Sequence, residues 1–317
     1  MNPSRNKTGR AGLADVMLGE ALGVVLAGAL AGALLMMDAG AMAAGRGVAT
    51  AGAEPAGLNA DVSRAFNQYV QLAEQQIAGE VRPGGAFLML DRLPAGGHEA
   101  AYAALRGGEL RIERLETQDN GHAVECPGCM IHHWIGIVFI PGATLEKTLR
   151  LVQDYDHQAE VYAPQVVRAK LLSHTGDDFH IFMRLRQKKV ITVVLDTEHD
   201  AHYDRIDATR TASRSISTRV QQVEDAGEPG ERDLPEGRDG GFLWRINSYW
   251  RFVERDGGVY VQSESISLTR SIPAGLGWLV GPFVESIPRE LLRATLENTR
   301  KGLMNHESAG AVASIHK

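Results

Sequence analysis

The stretch that decides the fold is residues 275–303, GLGWLVGPFVESIPRELLRATLENTRKGL. Pro282 and Pro288 interrupt it, and a proline inside a helix lacks a backbone N–H and clashes with the preceding turn. The first position of a helix accepts a proline, and after Pro288 the apolar residues recur at helical spacing. The stretch therefore predicts a C-terminal helix interrupted by proline, which either packs as an ordinary helix on a sheet or closes a cavity as a lid.

The segments before this helix predict strands. Six segments between residues 165 and 270 have the length and the β-branched or aromatic content of strands, and short turn sequences separate several of them. Turns this short connect antiparallel neighbours. A strand at 131–140 and a helical segment at 144–153 come first, so the predicted order is strand, helical segments, six strands and long helix.

Four stretches carry a resemblance to a known superfamily. They are IHHWIGIVFIPGATLEKTLRLVQDYDHQAEVYAP (131–164), DDFHIFMRLRQKKVITVVLDTEH (177–199), FLWRINSYWRF (242–252) and VYVQSESISLTRSIPAGLGWLVGPFVESIPRELL (259–292). In this order they resemble the START / polyketide-cyclase-like (SRPBCC) superfamily, and look closest to a group of exported bacterial members without assigned activity. The resemblance covers about residues 131–303, and residues 61–117 also look like the N-terminal region of that group.

The resemblance implies an α+β protein with the helix-grip fold. In this fold a curved antiparallel sheet, here of about seven strands, surrounds a long C-terminal helix, and a hydrophobic cavity lies between them. An N-terminal helical extension precedes the sheet. The resemblance does not imply a reaction, because the superfamily includes lipid carriers, hormone receptors, aromatic cyclases and oxygenase subunits, so function has to be argued from the site.

The first 44 residues differ in composition from the rest of the chain. A basic start is followed by an uncharged segment at 21–37, rich in Ala, Leu, Gly and Val, and then by small residues, with cleavage predicted after Ala41 or Ala43. This order predicts a secretory signal peptide and an exported, periplasmic protein. The alternative is a retained membrane anchor, although so short a segment lies at the lower limit for crossing a bilayer.

The chain is predicted to have five parts, because its composition changes at each boundary. The linker is rich in Ala and Gly, and the extension is too short and mixed to form an enzyme domain of its own. The parts are a signal peptide at 1–44, a linker at 45–60, an N-terminal extension at 61–129, a helix-grip domain at 130–304 and a disordered tail at 305–317.

Composition and motifs exclude several classes of function. The net charge is −6, whereas a general nucleic-acid binder is expected to carry a basic excess. No phosphate-binding glycine loop, nucleophile elbow or metal-ligand spacing is present, so no cofactor and no metal are predicted. His132 and His133 are adjacent on a strand and face opposite sides, so they do not bind one metal together.

Cys126 and Cys129 flank a Pro-Gly turn and are the two cysteines of the chain. A c-type haem site would need His after the second cysteine, where Met130 stands. A thioredoxin-like motif would need its first cysteine at a helix N-terminus, whereas a strand follows here. In an exported protein, a local disulfide is the predicted state.

Strand alternation separates the polar residues of the predicted sheet into two sides. Arg210 and Arg214 share a side with apolar residues, and Glu264 shares a side with Tyr260 and Ile266. These sides are predicted to face inward, so the three charged residues pair with one another or hold the polar group of a ligand; a purely structural ion pair is the alternative. The serines at alternate positions are predicted to face solvent: Ser213, Ser215, Ser217, Ser263, Ser265 and Ser267.

The aromatic residues complete the predicted cavity. Trp244 and Trp250 share the side of their strand with the larger apolar area, which is predicted to face inward. The C-terminal helix adds Trp278 and Phe283, and the first strand adds His133, for which a core position without ligand is the alternative. The predicted ligand-binding residues are His133, Arg210, Arg214, Trp244, Trp250, Glu264, Trp278 and Phe283.

These observations predict a protein that binds or transports a hydrophobic small molecule or lipid between the sheet and the C-terminal helix. One alternative is a cyclase- or hydrolase-like enzyme that uses the same cavity, with Glu264, His133 or an arginine as acid, base or oxyanion partner. Another is a cell-envelope interaction module with a filled core. The sequence leaves open whether a reaction occurs and whether the protein contacts a membrane surface.

Overall fold

A computed structural model of the chain describes residues 58–189, 191–236, 238–272 and 277–315, and within 277–285 and 306–315 it describes the helical backbone alone. The chain divides into two compact units, one of Met1–Ala53 with Gln187–Val193 and the other of Glu54–Arg186 with Val194–Lys317. The described part of the first unit is the turn that joins two strands. Apart from the strand ends on either side of this turn, everything discussed below belongs to the second unit.

Five α-helices are described within these ranges. They are α1 (Ala60–Val81), α2 (Ala95–Arg106), α3 (Leu145–Gln153), α4 (Gln158–Val161) and α5 (Gly277–Ile315), with 3₁₀ turns at Met89–Arg92 and Tyr155–His157. Helix α1 begins at Ala60, because the Asn59 side chain accepts a hydrogen bond from the Val62 N–H at 2.9 Å and so satisfies a free donor of the first turn.

The strands form one large sheet and one short hairpin. They are β1 (Leu110–Arg114), β2 (Gln118–Asp119), β3 (His122–Ala123), β4 (Cys129–Pro141), β5 (Val166–Thr175), β6 (Asp178–Lys188), β7 (Thr192–Arg205), β8 (Arg210–Glu224), β9 (Arg232–Asp233), β10 (Arg245–Arg255) and β11 (Gly258–Arg270). In the large sheet the order is β1-β4-β11-β10-β8-β7-β6-β5, and β9 pairs with β8. The registers described for these strands are antiparallel.

The predicted α+β helix-grip fold is confirmed, with one antiparallel sheet packed against a long C-terminal helix and helices at the N-terminal end. The sheet has nine strands rather than about seven. One extra strand is the short β9. The other is β1, which comes from the predicted N-terminal extension and pairs with β4, so part of that extension belongs to the sheet itself.

Helix α5 packs on one side of the sheet through Leu292, Leu296 and Leu303, which are buried with apolar residues of β4, β10 and β11. Gly136 allows this close approach, because a Cβ at that position would lie 2.8 Å from Leu296 Cδ1. We call this side of the sheet, which also carries Val138, the helix side.

Helix α5 differs from the prediction at both ends. It is one helix from Gly277 to Ile315, although the sequence predicts an interruption at its prolines. Each proline removes a single backbone donor, and the remaining turns of a 39-residue helix keep their own hydrogen bonds. The helix also continues through residues 305–315, where a disordered tail is predicted.

Helices α1 and α2 cover the opposite side of the sheet, which we call the extension side. Val62 and Phe66 of α1 are buried against Ile266 and Leu268 of β11. Tyr102 of α2 joins a second apolar cluster with residues of β4 and β11. The central strands are therefore buried on both sides, as the burial of nearly every residue of β11 shows.

Several predictions fall outside the described residues. The predicted signal peptide lies there, with most of the linker, and so do the side chains of Trp278 and Phe283. Within the part of the chain that the structure describes, no helix combines the length and the apolar character that a membrane crossing requires.

Candidate functional site

Cross-strand neighbours identify which residues face α5, because directly opposite residues of an antiparallel sheet share a side. Ser263 of β11 lies opposite Gly136 of β4 and opposite Trp250 of β10. Gly136 lies beneath Leu296 of α5. Ser263 and the alternate residues of β11 therefore face the helix, whereas Glu264 faces the N-terminal extension.

Serine side chains occupy the centre of the helix side. We call them the hydroxyl grid: Ser263, Ser265 and Ser267 on β11, Ser248 on β10, and Ser213, Ser215 and Ser217 on β8. The prediction that the serines of β8 and β11 face solvent is wrong, since Ser213, Ser217, Ser263 and Ser267 are buried. Alternation shows which residues share a side, but it gives no sign of which side is covered when helices bury both.

The hydroxyl grid extends into three rows across five strands. Each row begins on β4, crosses β11, β10 and β8, and ends on β7. The first row is Gly136, Ser263, Trp250, Ser213 and Tyr203; the second is Trp134, Ser265, Ser248, Ser215 and Ala201; the third is His132, Ser267, Ile246, Ser217 and His199.

Most of the grid hydroxyls have no protein partner. Ser217 Oγ accepts a hydrogen bond from the Ile246 N–H at 2.9 Å, and Ser213 bonds to the hydroxyl of Tyr203. No hydrogen bond joins the other five hydroxyls to any residue that the structure describes; they belong to Ser215, Ser248, Ser263, Ser265 and Ser267. None of these five oxygens is among the completely buried unpaired atoms, so each can still bond to water or to a bound molecule.

Two histidines end the third row and are uncharged at neutral pH. His132 Nε2 lies 3.0 Å from Thr269 Oγ1, and His199 Nε2 lies 3.0 Å from Thr197 Oγ1. Burial lowers the pKa of each histidine to about 4. The positive charge of Arg114 also lowers the pKa of His132. Both rings are therefore neutral polar groups, and the sequence prediction nominated neither.

Two of the predicted residues, His133 and Glu264, lie together, but on the extension side. His133 Nε2 lies 2.8 Å from Glu264 Oε1, and His133 Nδ1 lies 3.1 Å from the Tyr69 hydroxyl of α1. Arg251, which the prediction did not include, lies 3.5 Å from Glu264 and donates to Glu80 at 2.6 Å. The group is a buried polar network between sheet and extension.

The two predicted arginines do not pair with Glu264. Arg214 Nε lies 2.9 Å from Glu74 of α1, and Arg210 Nη2 lies 2.8 Å from Asp207. Both are on the extension side, where α1 supplies a carboxylate that strand alternation alone could not reveal. The expectation that these arginines form one charged group with Glu264 is therefore wrong.

The two predicted tryptophans of this region lie on opposite sides of the sheet. Trp250 packs on the helix side and stacks on Phe252, with 5.9 Å between ring centroids. Trp244 is buried with Val62 of α1, and its indole N–H donates to Asp239 at 3.0 Å. Of the predicted ligand-binding residues whose side chains are described, Trp250 is thus the one that faces α5.

A cavity of about 610 Å³ lies over strands β5 to β8, and its lining includes Ala201, the last residue of the second row. Histidine–aspartate pairs line it: His180 Nδ1 lies 2.7 Å from Asp200, and His202 Nδ1 lies 2.7 Å from Asp178. Hydrogen bonding to Asp178 raises the pKa of His202. No set of three potential metal ligands occurs within the described residues.

Cys126 and Cys129 form a disulfide, with 5.3 Å between their Cα atoms. Gly128 in the turn between them has a φ of 78°, a conformation that favours glycine. Cys129 begins β4 and is buried in the cluster that α1 forms with the sheet. The disulfide therefore fixes the entry of β4 beneath α1.

No family model matches the sequence, and no curated protein matches it. Solved structures with a similar fold include a STAR-related lipid transfer protein from Xanthomonas axonopodis, with 17% identity, coverage of 59% of this chain and 98% of that chain, and a TM-score of 0.37. The Zhui aromatase/cyclase from Streptomyces sp. R1128 has 10% identity, 55% and 94% coverage, and a TM-score of 0.35.

Human STARD10 is also similar, with 9% identity, coverage of 66% of this chain and 81% of that chain, and a TM-score of 0.40. Identities and TM-scores this low give no basis for assigning a ligand or a reaction to this chain. Its function has to be argued from the two sides of its own sheet.

Proposed function

We propose that the protein binds a hydrophobic small molecule or lipid between the helix side of the sheet and α5. The observation that supports this most is the set of grid hydroxyls without a hydrogen-bond partner. Trp134 and Trp250 flank these hydroxyls and offer apolar area. A ligand with an apolar body and polar groups would contact both the tryptophans and the hydroxyls. Small-molecule sites commonly combine an apolar lining with a few oriented polar groups in this way.

A cyclase- or hydrolase-like enzyme is less well supported by the same geometry. A general acid or base is most effective when its pKa lies near the working pH, and burial lowers the pKa of His132 and His199 to about 4. The earlier acid–base candidates, His133 and Glu264, face the extension. We therefore favour binding over catalysis.

The test is extraction of the purified protein with chloroform and methanol, followed by mass spectrometry. Wild-type protein is expected to yield one dominant ligand. Ser265→Phe fills the middle row of the hydroxyl grid and is expected to abolish the bound ligand. Ser173→Phe on β5 is the matched control, because Ser173 is exposed and lines the cavity over β5 to β8 instead of the grid. Both variants should keep the wild-type melting temperature within a few degrees.

A wild-type protein that yields no ligand would contradict the proposal and favour the interaction module with a filled core. Equal ligand content in Ser265→Phe and wild type would place the ligand elsewhere. We also propose export to the periplasm, by the signal peptide predicted for residues 1–44. N-terminal sequencing of protein from the periplasmic fraction tests this, since a chain that begins at Met1 would oppose cleavage.

A further inference from the structure

The hydroxyl grid places many uncharged polar groups at a regular spacing. Neighbouring strands lie roughly 5 Å apart, and every second residue along a strand is displaced by roughly 7 Å. Ser263, Ser265 and Ser267 repeat along β11, while Ser265, Ser248 and Ser215 repeat across strands. A molecule lying on this surface meets hydroxyls in two directions over its whole area, not at one end.

The three rows contain no Asp, Glu, Lys or Arg. Their three titratable side chains, His132, His199 and Tyr203, are uncharged, because burial lowers the pKa of both histidines and raises the pKa of Tyr203. The first part of α5, residues 277–288, contains no Lys, Arg or His in its sequence. An anionic group placed over the grid would therefore lack a counter-ion, and an uncompensated buried charge is strongly disfavoured.

Two cations lie at the rim of this surface, and one of them, Arg219, shares the side of Ser217 on β8 but is already paired with Glu198 and Asp233. The other, Arg114 of β1, is exposed and lies opposite Trp134, beyond the β4 end of the middle row. It is the alternative anchor for an anionic head group, since the resulting ion pair would stay in contact with water. A ligand held there would use one end of the grid and leave the central hydroxyls without partners.

We infer that the ligand of the helix side is an uncharged, rigid molecule with several hydroxyl or carbonyl oxygens, not a fatty acid or another anionic lipid. This inference rests on the proposed function and narrows its ligand class. We infer a rigid ligand because the grid hydroxyls have fixed positions. A flat molecule keeps its oxygens aligned with them and loses little conformational freedom on binding.

Equilibrium dialysis of delipidated protein at pH 6 tests the inference with three probes. Flavone and kaempferol share one flat skeleton, and kaempferol adds four hydroxyl groups; oleate supplies an anionic head on an apolar chain. Kaempferol is expected to bind at least about tenfold more tightly than flavone, because each well-placed hydrogen bond contributes about a factor of five. Oleate is expected to bind more weakly than kaempferol.

Three variants locate the binding surface. Ser263→Ala with Ser265→Ala is expected to reduce kaempferol affinity about tenfold and to leave flavone binding unchanged, whereas Ser173→Ala should change neither. Arg114→Gln should leave kaempferol binding unchanged. Oleate binding as tightly as kaempferol and lost in Arg114→Gln would overturn the inference, as would equal affinities for flavone and kaempferol.

The two proposals fail in different ways. If none of the probes binds but wild-type protein still yields an extractable ligand, the ligand class inferred here is wrong and the binding function stands. If no probe binds and nothing is extracted, the binding function itself is wrong.

Discussion

His133 Nε2 lies 2.8 Å from Glu264 Oε1, and the two side chains are only 2% and 5% exposed. The pair lies beneath α1, because the second ring nitrogen of His133 lies 3.1 Å from the hydroxyl of Tyr69. A histidine–carboxylate pair at this distance is also a common catalytic arrangement. Here its position on the extension side makes it a connection between helix and sheet.

Replacement of Glu264 by Gln is expected to lower the free energy of unfolding by about 3 kcal/mol, because it leaves the buried Arg251 guanidinium without one of its carboxylates. Ligand content should stay unchanged, since Glu264 faces away from α5. Thermal unfolding and extraction measure the two effects. Glu146→Gln is the control, because Glu146 pairs with Arg150 in solvent and should contribute less than about 1 kcal/mol.

Acid is expected to destabilise the protein through His132 and His199. Their folded pKa of about 4 lies below the unfolded value near 6.5, so the unfolded chain binds more protons between these values. Stability should fall as the pH drops from about 6.5 to about 4, by on the order of 2–3 kcal/mol for each histidine. Denaturant titrations of His199→Gln should show a shallower fall; an unchanged slope would contradict this account.

His202 is expected to affect stability in the opposite direction, with a loss of stability as the pH rises. Hydrogen bonding to Asp178 raises its pKa in the folded protein, so the stabilisation is fully present below the unfolded value near 6.5 and is lost as the pH rises through the folded value. The effect should be small because the side chain is about half exposed. NMR titration of the ring protons measures the pKa directly, and a value at or below 6.5 would refute the prediction.

Gly136→Ala is expected to destabilise the protein by about 1–3 kcal/mol. The added Cβ would lie 2.8 Å from Leu296 Cδ1 and 3.1 Å from Ile112 Cγ1, so α5 or β1 would have to move. Gly97→Ala in α2 introduces the same methyl group where nothing lies within 4 Å, and should be neutral or slightly stabilising. Equal melting temperatures for the two variants would argue against close packing of α5 at Gly136.

Reduction of the disulfide between Cys126 and Cys129 is expected to cost no more than about 2 kcal/mol, because the cysteines are three positions apart and the loop they close is short. Thermal unfolding with and without dithiothreitol measures the loss. Thiol counting on unreduced protein is the necessary control. Two free thiols in protein from an oxidising compartment would mean that the bridge does not form there.

The order of elements was predictable from sequence, and so was the division of residues within a strand. His133 shares its side of β4 with Ile135 and Ile137, as alternation predicts. Alternation could not say which side faces α5. On β11 both sides are buried, and on β8 the side that carries Ser213 and Ser217 is covered, so polar residues at alternate positions do not indicate contact with solvent there.

The candidate site was less predictable for the same reason. The serines repeat at every second position of β8 and β11, so the pattern was visible in the sequence. The surface that these serines form depends on the register of the strands. Ser265 belongs to a continuous polar surface because Ser248 and Trp134 lie beside it on the neighbouring strands. Glu74 and Glu80 of α1 pair with arginines of distant strands, and no local pattern reveals such partners.

Because α1 buries one side of the sheet, the smallest fragment of this chain that can be studied alone has to include α1. A fragment cut at residue 130 would keep every strand from β5 to β11 and all of α5, yet it would expose Arg251 and Glu264 to water together with the apolar surface around Ile266. Such a fragment should aggregate. Crystallisation and ligand screens therefore need a chain that starts before Asn59, upstream of the first helical turn.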